Sequence, residues 1–200
     1  PPGNLQRVAF TAIPPQIQSP MVGLSRQSLA LVSLLAVCSS HAFYLSSTKH
    51  AVRQPIAVHR HHAPIADIAT QQPPKTSIFC IWEPLQIQYD IWTAGGITAP
   101  RLAIMQRTNA TKTSLFGRWN NRPAATGFVA IHAGIAMVHA VEVLAQQRGQ
   151  KVASWLMRAA AFWAKEHGAT RLAVLCTEAN TAANSLYSSL GMTFSGRYHY

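Results

Sequence analysis

The chain has 200 residues, 48% of them hydrophobic, and carries 17 Lys and Arg against 6 Asp and Glu, a formal charge of +11. That length suits one domain with an extension, or one domain and a fragment of another, and the apolar content, concentrated in the second half, suffices for a core. The basic residues stand singly rather than in runs or along one helix face, which argues against a nucleic-acid binder and leaves a general preference for anionic, phosphate-bearing ligands.

Three cysteines, Cys38, Cys80 and Cys176, lie far apart with no Cys-x-x-Cys pair. They indicate neither a disulfide framework nor a zinc site, and they fit a reducing, cytoplasmic setting. The chain begins Pro1-Pro2, as a fragment or a processed product does. Met21 is followed by Arg26 and the apolar run Ser28–Cys38, which has the character of a signal-peptide core. That run is shorter than the roughly 20 apolar residues a membrane span needs, so no membrane partner is expected. Its internal position counts against a cleaved signal unless translation starts at Met21.

No acidic residue precedes Asp67, and residues 1–75 are rich in Ser, Pro, Gln and His without a sustained period. They read as a separate leader, a degenerate stretch or a partial domain ahead of a domain at 76–200. "HRHHAP" (His59–Pro64) is the one metal-like cluster of this half. Without a further ligand group nearby it reads as a solvated tract, and no metal is expected.

From Thr76 the pattern becomes regular. "SIFCIW" (Ser77–Trp82) has strand composition and "LQIQYDIWTAGG" (Leu85–Gly96) reads as a helix stopped by glycine. "RLAIMQR" (Arg101–Arg107) is expected as a strand and "TNATKTSLFGRWNNRP" (Thr108–Pro123) as a polar connection. Two apolar runs flanking His132–Gly134 make a β-hairpin across Ala124–Leu144. Val152, Leu156, Ala159, Ala160 and Trp163 then repeat at helical spacing up to Gly168. "RLAVLCT" (Arg171–Thr177) is a buried-type strand, Asn180 caps a helix ended by Gly191, and Met192–Tyr200 is a last strand. The order β-β-turn-β-α-β-α-β implies an α+β domain with a mixed, mostly antiparallel sheet flanked by helices.

The stretch "QQRGQKVASWLM" joins a strand to a helix through a short basic loop. The first amides of a helix lack internal partners and the dipole adds positive charge there, so such a junction receives anions. Arg148 and Lys151 add full charges.

Here "RGQKVA" supplies Arg148 and Ala153 of the pattern Arg/Gln-x-x-Gly-x-Gly/Ala. Downstream, "EANTAANSLYSSLGM" (Glu178–Met192) follows Asn-x-x-Ala-x-x-x-Tyr-x-x-x-Gly-Phe/Met. In these segments and in its layout the chain resembles the GCN5-related N-acetyltransferase (GNAT) superfamily from about Ile97 to Tyr200. The resemblance implies the acyl-CoA N-acyltransferase fold and acetyl-CoA as co-substrate, used to acetylate an amine acceptor. It implies that Val143, Arg148, Gly149, Gln150, Lys151, Val152 and Ala153 hold the cofactor around its pyrophosphate, with Asn180 as a further contact. Tyr187 takes the place of the general acid that protonates the leaving thiolate, and Glu142 is the candidate base for the amine. Lys151 stands where the family has glycine. Its Cβ crowds the approach of a phosphate, while its ammonium can meet that phosphate as a point charge.

Each residue also has a plain structural reading: Tyr187 as a core ring, Asn180 as a helix cap, Glu142 as a solvent-facing strand residue, Arg148 and Lys151 as solvated charges. Cys176 reads as a small core residue. His139 and Glu142, three apart, fall on opposite faces of a regular strand, so no dyad is expected. The rival to an enzyme, acting as a monomer or homodimer, is a non-catalytic module of the same fold that binds CoA or a partner.

Overall fold

The computed structural model describes residues 56–199, so the signal-like run Ser28–Cys38 lies outside the described residues. Seven strands form one sheet: β1 (Ala57–Pro64), β2 (Ile78–Ile81), β3 (Thr111–Trp119), β4 (Arg122–His132), β5 (Ile135–Val143), β6 (Arg171–Thr177) and β7 (Thr193–His199). Five helices accompany it: α1 (Ile65–Ile68), α2 (Gln86–Ala94), α3 (Ala99–Arg107), α4 (Val152–Glu166) and α5 (Thr181–Ser189). The spatial order is β2-β3-β4-β5-β6-β1-β7. Only β5 and β6 run parallel, and α4 is the crossover that a parallel pair requires.

The β4–β5 hairpin turns on Ala133 and Gly134, both at positive φ (48° and 75°), a two-residue turn of the kind whose twist matches that of the strands. Helix α4 places Val152, Leu156, Met157, Ala160, Ala161 and Ala164 in one core with Leu115, Val129, Val138, Leu172 and Val174. Leu156 is fully buried, worth roughly 1.5–3 kcal/mol. Trp92, Ile97, Met105 and Phe128 make a second core beneath α2 and α3. Since Phe128 and Val129 are adjacent on β4, the two cores lie on opposite faces of the sheet.

Three expectations are corrected. Arg101–Arg107 is helical: Pro100 opens α3 in its first turn, and Ile104 and Met105 are its buried residues. The supposed polar connection 108–123 contains β3, whose buried Thr113 and Ser114 disguise it. Thr113 Oγ1 donates to Ser114 O at 3.2 Å, while Gln88 of α2, fully buried, donates to Leu115 O and Thr126 Oγ1, both at 3.2 Å, and accepts from Ser114 Oγ at 3.3 Å. A buried amide with its partners supplied costs little, and it locks α2 onto the sheet.

The third correction concerns "HRHHAP", which is strand β1 rather than a solvated tract. It pairs antiparallel with both β6 and β7, and His61 is 4% exposed. The folded unit therefore reaches back at least to Ala57, upstream of the division expected at residue 75. Among the described residues no helix is long and apolar enough to cross a membrane, and no group of three or more His, Cys, Asp or Glu could hold a metal ion.

Candidate functional site

Strands β5 and β6 pair only from Ile135↔Arg171 to Val138↔Val174 and then part. The cause lies in β5, where Phe128↔His139 is followed by Thr126↔Glu142, so that Ala140 and Val141 together oppose the single Gly127. This is a β-bulge, and Ala140 sits in it at φ 49°. The Trp92 indole donates to Ala140 O at 2.8 Å and fixes the bulge from below. Beyond it opens a cleft of about 670 Å³, walled by His139–Val143 on one side and Leu175–Thr177 on the other.

One end of the cleft is the start of α4. Among the described residues the amides of Gly149 to Ser154 make no backbone hydrogen bond, as the first turn of a helix leaves them. No acidic residue lies in that turn. Gln147, 6% exposed, lines the same end, and its Oε1 has no partner among the described residues. An orphaned acceptor beside orphaned donors fits a ligand with both phosphate oxygens and amide N–H groups. Arg148 Nε donates to Val143 O at 3.2 Å, which folds that side chain over the end of β5. Lys151 is the N-cap of α4 in the left-handed region, at φ 61° and ψ 12°. This is the backbone conformation in which glycine carries no steric cost.

The other end holds the titratable groups. Tyr187 is 4% exposed, lines the cleft and has no hydrogen-bond partner for its hydroxyl among the described residues. Burial, then the neighbouring Cys176 and Glu142, raise its pKa well above the usual tyrosine value. The phenol is therefore held protonated. Cys176, on the β6 wall, is pushed up to about 11 by burial, so it too is held as the thiol. His139 is brought down to about 3 by burial first and by the Arg101 charge second, which keeps it neutral.

Glu142 lies against α2. A Cβ at Gly95 would fall 2.5 Å from its Cδ and 2.6 Å from Oε2, so only glycine leaves room for this carboxylate. The bulge also changes a sequence expectation. Because Thr126 and Phe128 share a face, their partners Glu142 and His139 share it as well, and both line the cleft.

Nine of the ten residues expected from the sequence line this one cleft: Glu142, Val143, Arg148, Gly149, Lys151, Val152, Ala153, Asn180 and Tyr187. Gln150 does not. Its amide donates to Gln146 O at 3.3 Å and accepts from Asn120 Nδ2 at 3.5 Å, away from the cleft. Sequence reasoning missed Arg101, Ile97, Gln147 and Ser154, and it placed no function on His139 or Cys176. Only Gln147 and Ser154 adjoined a legible motif.

The parted parallel pair thus encloses a cleft with an anion-receptive helix start at one end and protonated acids at the other. The sequence matches the model of the Acetyltransferase (GNAT) family over residues 81–192, more than half of the chain, and the chain belongs to that family. No curated protein sequence matches it.

Among solved structures it is similar to a GCN5-related N-acetyltransferase from Kribbella flavida, at 20% identity and TM-score 0.52 over 74% of this chain and 57% of that one. A GCN5-related N-acetyltransferase from Sphaerobacter thermophilus matches at 17% identity and TM-score 0.53, over 73% and 51%. An acetyltransferase from Bacillus subtilis, solved in complex with CoA, matches at 15% identity and TM-score 0.52, over 60% and 78%. The chain thus spans little more than half the length of the first two. At these identities the likeness establishes the acyl-CoA N-acyltransferase fold.

Proposed function

We propose that the chain is an N-acetyltransferase that moves the acetyl group of acetyl-CoA directly to a primary amine of a small molecule, peptide or protein. The observation that carries this reading is the continuity of one cleft from the orphan amides of Gly149–Ser154 to Tyr187 and Glu142. Acetyl-CoA supplies the acyl group and a thiolate leaving group. The amides around Arg148–Ala153, with Arg148 and Lys151, hold its pyrophosphate, and Val143 and Asn180 contact it along the cleft. Glu142 takes the proton of the attacking amine, directly or through water. Tyr187, protonated because buried, donates to the departing sulfur. Each such proton transfer contributes about 10²–10⁴-fold.

The test has two stages. Acetyl-CoA should stabilise the protein in a thermal-shift measurement, and a thiol-release assay against an amine panel should show turnover that Tyr187→Phe abolishes. Absence of any stabilisation sinks the reading. Stabilisation without turnover, indifferent to Tyr187→Phe, favours a second reading, a CoA-binding module without catalysis. The positive φ of Lys151 at the expected glycine position is what supports that alternative. We place the protein in the cytoplasm as a monomer or homodimer, with no metal, nucleic acid or membrane requirement. The widely spaced cysteines and scattered charges support that placement.

A further inference from the structure

Helix α5 packs Ala183, Leu186 and Tyr187 into the main core and is hydrogen-bonded to the sheet through the side chain of Asn184. Asn184 Oδ1 meets His59 Nδ1 at 3.1 Å, His61 Nε2 at 3.0 Å and Cys176 Sγ at 3.3 Å. Its Nδ2 donates to Thr177 O, Glu178 O and Asn180 O at 3.1, 3.3 and 2.8 Å. Three carbonyls can only accept, so the amide orientation is settled. The oxygen must then receive both histidines, which fixes Nδ1–H in His59 and Nε2–H in His61. Asn184 precedes Tyr187 by three residues, so the two are neighbours on the helix surface. The His61 ring packs 5.5 Å from the Tyr187 ring, tilted by 49°. Phe194 closes the far side, 5.0 Å from His59.

Both histidines come from β1, outside the residues that match the family model. At nine residues α5 is too short to hold its own orientation in water, so its anchors decide where Tyr187 points. From this we infer that His59, His61 and Asn184 are positioning residues, a clamp through which β1 sets the aim of the Tyr187 hydroxyl. The inference rests on the acetyltransferase reading of Tyr187. Misplacing a reacting group by about 1 Å costs about 10²-fold, so loss of the clamp is a loss of turnover rather than of cofactor binding.

The two histidines use different nitrogens, and this supplies the test. Asparagine reaches about as far as Nδ1 and glutamine about as far as Nε2. His61→Gln and His59→Asn keep a donor at the right reach, whereas His61→Asn and His59→Gln do not. The expected result is kcat within about threefold of the parent for the first pair and at least about tenfold lower for the second, with KM for acetyl-CoA unchanged in all four. Equal kcat for the two amides at each position, or losses that merely follow Tm, would overturn the clamp. Hydrogen exchange reads it without turnover: amides of Ala183–Ser189 should exchange faster in His61→Asn than in His61→Gln, with β3 and β4 unchanged. Equal rates overturn it. Should the parent protein acetylate no amine, the acetyltransferase reading fails, and the exchange comparison still decides the clamp.

Discussion

Replacing Lys151 by glycine should make the protein more stable. At φ 61° the residue occupies the left-handed region, where a Cβ costs about 1–2 kcal/mol. Glycine returns that cost but surrenders about 0.5–1 kcal/mol through its freer unfolded chain. At the midpoints of these ranges the net gain is about 0.75 kcal/mol, and a domain of this size converts 1 kcal/mol to about 2–4 °C. Lys151→Gly should therefore raise Tm by about 1–4 °C. The control is Lys151→Ala, which removes the ammonium but keeps the Cβ and its strain, and Tm should stay near the parent value. Titration calorimetry with CoA separates charge from approach. Alanine should bind a few-fold more weakly than lysine, because an exposed charge near phosphate is worth little. Glycine should bind more tightly than alanine, because its backbone can come closer. Scanning fluorimetry on the three proteins decides the backbone argument: a glycine variant no more stable than the alanine one refutes it.

Three further outcomes follow from the site. Tyr187→Phe should lower kcat by about 10²–10⁴ while acetyl-CoA binding, measured by calorimetry, stays unchanged. Gly95→Ala has no backbone conflict at φ −80°, but its Cβ displaces the Glu142 carboxylate. Thiol-release rates should fall at least about tenfold with Tm little changed, and unimpaired turnover would remove Glu142 from the proton path. His139 is neutral when folded down to about pH 3, whereas the unfolded chain protonates it near 6.5. Its folded pKa is depressed, so stability is complete above pH 6.5 and falls as pH drops, by up to about 1.4 kcal/mol per unit. Urea unfolding at pH 7 and 5 should show this slope, and His139→Gln should flatten it.

Much of the fold was legible where pattern and burial agree. The α4 stripe, the hairpin and the Asn180 cap, which accepts from Ala183 N at 3.1 Å, follow from periodicity and turn chemistry. The reading failed where polar residues are buried. β3 hides behind Thr113 and Ser114, and the partner of Ser114, Gln88, lies 26 residues away, a distance no local pattern spans. β1 reads as solvated because its buried residues include His61, whose Nε2 is bonded to an asparagine 123 residues away. The α3 segment reads as a strand because its apolar residues 102–105 are consecutive, and so short a run carries no period. The bulge at Ala140 left no sequence trace, and with it went the shared face of His139 and Glu142. In the site, the end at Arg148–Ala153 was readable because a loop and a helix start are local, whereas the end at Glu142 is assembled from Ile97, Arg101 and β5 by tertiary contacts.

The position of β1 carries a consequence for how the chain could be cut and rejoined. It lies beside β7 with Ala57 opposite His199, so the first and last of the described strands run antiparallel with their outer ends side by side. Directly opposed residues in such a pair are about 5 Å apart, a gap that a tight two- to four-residue hairpin bridges. Residue 199 could be spliced to residue 57 and new termini opened at the Asn120–Asn121 turn between β3 and β4. That circular permutant would keep every strand neighbour of the sheet.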